Sequence, residues 1–293
     1  MIFCDCENTW RASMRITKHS ESATPEQIEE LLAPTAPHDD LPFEQLIDLY
    51  NFRQTSSWMR LFVRLLRKEC RALPRPRKVL DIGCGRGIAQ SKVFLSAIRA
   101  EVDELWGIEP DPNMTGDPKM FDQFQNATME GAQLPENYFD LAFSFMVVEH
   151  IADPERYMRA VARVLRPGGV HFFITVNGLH YFARTASILH MLKLDEIVLR
   201  ALRGKQVDEY HYPIQYKCNK PKDVRHFATV AGFENTQIVF VEEDGPKPYF
   251  PLLLRPIWWV FMAKRHLIRT PKSLSTIYVR MEKGGARASS VRR

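Results

Sequence analysis

Val79-Leu80-Asp81-Ile82-Gly83-Cys84-Gly85-Arg86-Gly87 is a short apolar strand running into a turn almost without side chains. Ile88 to Ile98 continues it as an expected helix. Glycine lets the backbone approach a ligand closely, and free N–H groups at a helix start favour polar or anionic groups. Strand, glycine turn and helix in this order predict a nucleotide-type ligand site. The spacing discriminates further. Dinucleotide folds carry G-x-G-x-x-G after their first strand. Here the sixth position is Ile88 and the pattern is G-x-G-x-G.

The residues downstream agree. Glu104 to Glu109 reads as a second strand ending in an acid. A carboxylate about 20 residues past a glycine turn is placed to accept from both hydroxyls of a ribose. Pro110-Asp111-Pro112 then forces a turn. Asn126 to Pro135 ends in Leu134-Pro135, and Phe139 to Phe145 is a further strand leading into Val148-Glu149-His150-Ile151-Ala152-Asp153-Pro154. Arg163 to Gly169 ends a helix on Pro-Gly-Gly, and Val170 to Val176 is another strand.

In order and spacing these blocks, about a third of the chain from residue 77 to 177, resemble the class I S-adenosylmethionine (SAM) methyltransferases. The resemblance implies an α/β, doubly wound, Rossmann-like sheet of seven strands in the order 3-2-1-4-5-7-6, the last antiparallel. It implies SAM as cofactor, with Asp81, Gly83, Cys84 and Gly85 at the glycine turn. Glu109 would serve the ribose, Pro110 would pack on adenine, and Phe145 would line the cofactor. Glu130, where an Asp is more usual, would accept the adenine amino group, and the Gly131 N–H would serve a ring nitrogen.

Around this core the chain divides unevenly. Residues 1–40 are polar and proline-punctuated and read as mostly disordered, with a short helix expected from Pro25 to Leu32 behind a Thr24 cap. Residues 41–76 carry apolar positions at three- and four-residue spacing and read as amphipathic helices, which the resemblance implies cover the cofactor. The catalytic domain is expected over 77–283, interrupted by insertions at 177–220 and 244–272, with a basic, disordered tail at 284–293. Long connections in a compact domain usually carry function, so both insertions are candidates for acceptor recognition.

Charge is equally uneven. From Arg255 to Arg293 ten Lys and Arg face one Glu, a net of +9, whereas the whole chain carries +5 and the remainder therefore −4. Just inside this basic region Pro248 to Ala263 is strongly apolar, with paired Trp258 and Trp259 beside Lys264, Arg265 and His266. The run is too short and too interrupted to span a bilayer. It fits an interfacial segment meeting an anionic membrane surface, a lid, or a subunit contact. Five scattered cysteines without metal spacing read as reduced thiols of a cytoplasmic protein, and residues 1–10 show no signal-peptide pattern.

Methyl transfer from a sulfonium is an in-line displacement, so the protein's main tasks are alignment and exclusion of water. A general base is needed only for a weakly acidic acceptor. His150, just past the fourth strand, is the candidate base, with a structural hydrogen bond as its alternative role. His180, Tyr181, His190, His211, Tyr212 and Tyr216 are candidates to line the acceptor pocket. Cys84 lacks the electropositive setting a thiol nucleophile needs. The expected activity is methylation of a small or lipid-like acceptor at oxygen. A nucleic-acid methyltransferase would spread basic residues across the fold, and a non-catalytic module of the SAM fold, a binding or scaffold protein with a dead site, would have no need of an intact glycine turn and acid. The missing third glycine argues against an NAD-linked oxidoreductase. Oligomeric state is not readable.

Overall fold

The structure is a computed structural model. It describes residues 24–34, 40–50, 54–55, 58–180, 213–243 and 274–285, with single positions between 260 and 270. Helix α1 is Pro25–Leu31, α2 Phe43–Tyr50, and β1 the two-residue strand Gln54–Thr55. Then follow α3 (Trp58–Ala72), β2 (Lys78–Ile82), α4 (Lys92–Arg99), β3 (Glu104–Ile108), β4 (Gln123–Gln125) and β5 (Phe139–Phe145). A 3₁₀ turn, Val148–His150, precedes α5 (Pro154–Val164), β6 (Leu165–Val176), α6 (Pro221–Val230), β7 (Phe233–Glu243) and β8 (Thr276–Lys283).

The strands lie in the order β1-β7-β8-β6-β5-β2-β3-β4. Among the described strands only β8 runs antiparallel to its neighbours, pairing Val170 with Glu282 on one side and Ile238 with Val279 on the other. Without β1 this is the seven-stranded Rossmann-like order that the resemblance implies. The small β1, parallel to the end of β7 through Gln54–Glu242 and Thr55–Glu243, extends it to eight.

Successive side chains of a strand point to opposite faces, and β2 at the centre is covered on both. Val79 packs with Phe62, Leu66, Phe143, Phe172 and Tyr278 beneath α3 and α4. Leu80 and Ile82 pack with Ala142, Tyr157, Val161, Phe173, Val224 and Ala228 beneath α5 and α6. Each such side chain contributes about 1.5–3 kcal/mol when fully buried, so the sheet is held from both sides and its carboxyl ends form a firm rim.

Within the segment read as mostly disordered, α1 carries a capping box between Thr24 and Gln27, and Ile28 and Leu31 are buried. Two arginines on the core side of α3 hold α1 there. Arg67 meets Glu29 at 2.6 Å and Glu101 at 2.7 Å, and Arg64 donates to the Leu32 carbonyl and pairs with Asp40. Residues 1–23, 181–212 and 286–293, and nearly all of 244–273, lie outside the described residues. With them lie the expectations for Tyr181, His190, His211, Tyr212, Trp258, Trp259 and the tail.

One local expectation is corrected. The helix expected from Ile88 begins at Lys92. Gln90 N donates to the Gly87 carbonyl and Ser91 N to that of Ile88, both at 3.0 Å, while Ala89 and Gln90 take φ of 54° and 61°. A turn therefore separates the glycine stretch from the helix, and the helix N-terminus does not follow the glycines directly.

Candidate cofactor and acceptor site

The glycine turn sits at the carboxyl end of β2, between β3 and β5. Gly83 and Cys84 N–H both donate to the Ile108 carbonyl of β3, at 2.8 and 3.2 Å, which anchors the turn to the next strand. Gly83 has φ +69°, and a Cβ there would stand 2.5 Å from Val147 Cγ2. Only glycine combines that conformation with that approach. Gly87, at φ +94°, would drive a Cβ to 2.7 Å from the Ser91 carbonyl oxygen.

Two carboxylates meet at this turn. Glu109 is buried, accepts from Gly85 N at 2.9 Å through Oε2, and from Asp111 N at 3.2 Å through Oε1. Asp81 is buried, and its Oδ2 has no hydrogen-bond partner among the described residues. Burial, and then the neighbouring Glu109, hold the Asp81 carboxyl well above the usual carboxylate range. A buried polar atom without a partner is costly, and a cation or donor arriving at the turn would satisfy it. The same burial pushes the Cys84 thiol up, which leaves it no role as a nucleophile. Its sulfur lies where a Cβ on Gly107 would be 3.1 Å away, so it packs between β2 and β3.

The remaining sequence-predicted positions fall along the same rim. Pro110 is exposed just after Glu109, and Glu130 is half-buried. The Gly131 N–H donates to the Thr128 carbonyl at 3.1 Å, so it is engaged in its own turn. Phe145, at the end of β5, stacks on Trp58 from α3 with centroids 5.5 Å apart and planes 9° from parallel, and meets Phe62 edge-on. The Trp58 carbonyl is in turn held by the Tyr278 hydroxyl. Helix α3 is thereby tied over the end of β5.

His150 closes the 3₁₀ turn beyond β5, with Nδ1 3.3 Å from the Pro213 carbonyl oxygen. A carbonyl oxygen only accepts, so Nδ1 carries the proton, and a neutral ring then has its lone pair on Nε2. His180 is buried, and its N–H donates to Asn177 O. Tyr216 takes φ 52° and donates its N–H to the Glu149 carbonyl. An open groove of about 680 Å³ beside the start of α6 is lined by Pro154, Tyr216, Lys217, Lys220, Lys222, Asp223, His226 and Phe227. It contains neither the glycine turn nor Glu109. Among the described residues no group of His, Cys, Asp and Glu could hold a metal ion.

Sequence reasoning missed Glu149. Its side chain is 4% exposed and accepts from Thr175 Oγ1 at 2.8 Å. Burial raises its carboxyl to about 7, against 4.5 for an ordinary glutamate. An acid raised on folding costs stability as pH climbs from the unfolded toward the folded value, and the cost is complete above the latter. Glu149→Gln is therefore expected to gain up to about 3 kcal/mol at about pH 8 and almost nothing near pH 4.5. Thermal scans across that range check it. A gain independent of pH would show that Glu149 is not the titrating group.

The chain matches the methyltransferase domain family over residues 51–244. It belongs to that family. The cofactor of such a SAM-dependent methyltransferase fits this turn, where the glycines leave room for it and the orphaned Asp81 oxygen and Glu109 offer acceptors. Among similar proteins is the ubiquinone biosynthesis O-methyltransferase of Rhizobium johnstonii, 33% identical over 163 residues, covering 54% of this chain and 60% of that protein. The protein of the same name from Proteus mirabilis is 34% identical over 108 residues, covering 34% of this chain and 42% of its own length. The matches thus span about two to three fifths of these relatives. A chain from the solved complex between the Haloferax volcanii Trm112 methyltransferase activator and its candidate methyltransferase is similar at TM-score 0.52 and 15% identity. The likeness covers 78% of this chain and 89% of that one, and it concerns the fold alone.

Proposed function

We propose that this methyltransferase moves the methyl group of SAM to a hydroxyl oxygen of a small or lipid-like acceptor, with His150 as general base. The reading is carried by the position of His150 at the end of β5, its Nδ1 committed to the Pro213 carbonyl. The relatives' name, ubiquinone biosynthesis O-methyltransferase, supports a hydroxylated acceptor.

Asp81, Gly83, Cys84, Gly85, Glu109, Pro110, Glu130 and Phe145 would hold SAM, which when bound supplies a methyl group activated on a sulfonium; the Gly131 N–H, given to Thr128, is not among them. The chain's own residues do the rest. The Trp58–Phe145 stack lies over the end of β5. His150 Nε2 takes the hydroxyl proton as the oxygen attacks. A phenolic hydroxyl ionises near pH 10 and imidazole near 6.5, a gap that transfer during attack bridges. The test is transfer of labelled methyl from SAM to a catechol probe such as 3,4-dihydroxybenzoate. A methyl ether is the expected product. Methylation of a matched amine but of no hydroxyl compound would contradict the choice of oxygen.

The acceptor is proposed to be met at an anionic membrane surface. Among the described residues no helix is long and apolar enough to cross a membrane. Val260, Ala263 and Leu267 are helical and exposed. Leu267 is 83% exposed, and the segment from Arg255 onward carries the net +9. Exposed apolar side chains and a basic segment are the two signals that peripheral binding requires. Co-sedimentation with anionic liposomes is expected to fall with added salt and to weaken in Leu267→Glu. Protein left in the supernatant at low salt would rule out the membrane contact.

A further inference from the structure

The first insertion returns to the sheet as Pro213–Asn219, and this segment is stitched to the end of β5 at several points. The Glu149 carbonyl accepts from Gln215 N at 2.7 Å and from Tyr216 N at 3.2 Å. Lys217 Nζ donates to the Ala152 carbonyl at 2.8 Å. Asn219 Nδ2 donates to Thr175 Oγ1 at 2.7 Å, and that hydroxyl donates to Glu149 Oε2. The Asn219 carbonyl accepts from Gly178 N at 2.7 Å. Glu149, Thr175 and Asn219 are all buried. At the near end of the same segment, the Pro213 carbonyl is the partner of the His150 ring.

We propose that Glu149 is a positioning residue of the acceptor end: it clamps Pro213–Asn219 against the Val148–His150 turn and so fixes the tautomer of His150. The inference rests on the reading of His150 as the base, and it adds a residue that acts through it. The path is short. The carboxylate holds Thr175 and, through it, Asn219. The carbonyl holds Gln215, two residues from Pro213. Pro213 then presents its oxygen to Nδ1, which leaves the lone pair on Nε2, the nitrogen a base needs. A glutamine would make the same bond to Thr175 without the cost of burying an ionisable group. Glu149 forms no ion pair among the described residues.

The test is a long-range ¹H–¹⁵N spectrum of the full chain with ¹⁵N-labelled histidines, in which His150 is assigned by the signals lost in His150→Gln. Wild type is expected to show Nδ1 protonated. Glu149→Gln, which still accepts from Thr175, is expected to keep that state. Glu149→Ala and Thr175→Val are expected to lose it while affinity for S-adenosylhomocysteine is unchanged. Should Glu149→Ala fail to fold, Thr175→Val and Asn219→Ala carry the test. Turnover of the catechol probe is expected to fall in Glu149→Ala and to be retained in Glu149→Gln. A His150 tautomer unchanged in both Glu149→Ala and Thr175→Val would overturn the proposal. Because the spectrum needs no acceptor, a change of tautomer in a protein that methylates no hydroxyl would uphold the clamp and reject the reading of the reaction.

Discussion

Glu109→Ala is expected to weaken SAM binding by up to about 10²-fold. A hydrogen bond to a charged group is worth about 1.5–3 kcal/mol, and each 1.4 kcal/mol is about tenfold in affinity. The loss has two parts. The ribose hydroxyls lose their acceptor, and the turn loses its own fastening, because Glu109 binds Gly85 N and Asp111 N. Glu109→Gln keeps one acceptor oxygen and is expected to fall between the two. Calorimetry with SAM and S-adenosylhomocysteine checks both. Equal loss for the two ligands is expected, since the ribose is common to them, whereas loss for SAM alone would place Glu109 near the methyl group instead.

For His150→Ala the expected effect is on turnover, a fall of roughly 10²–10⁴, the usual scale for removing a general base. Cofactor affinity is expected to be unchanged, because His150 lies beyond β5 and Glu109 and Asp81 close β3 and β2. The pH profile of kcat is expected to lose its lower limb in this variant, since a base must be unprotonated to act. A variant with full turnover would leave His150 only the structural role of holding Pro213.

The glycine turn and its acids were legible because they are local. Asp81 to Gly87 and Glu109 combine backbone freedom, small size and charge within a few residues of strand ends. The sheet order came from the resemblance, since periodicity carries no information on which strand lies beside which. The start of α4 was misread because Ala89 and Gln90, in the left-handed region, are not residues that announce it. Gln54–Thr55 is too short to leave a pattern. Arg64 and Arg67 look like the polar face of an amphipathic helix, and distant Asp40, Glu29, Glu101 and the Leu32 carbonyl make their burial tolerable. Glu149 stood in plain view next to His150. Its partners, Thr175 and then Asn219, lie 26 and a further 44 residues along the chain, so the clamp exists only once the fold has assembled it.

Asp81, the glycine turn and Glu109 are proposed to form a SAM site. Titration calorimetry with S-adenosylhomocysteine tests it most directly, comparing wild type with Gly83→Val, where φ +69° and the approach to Val147 exclude a side chain. One molecule bound per chain in wild type and none in the variant, with the variant still folded, is the predicted result. Absence of binding to folded wild type, or equal binding to both, would contradict the claim.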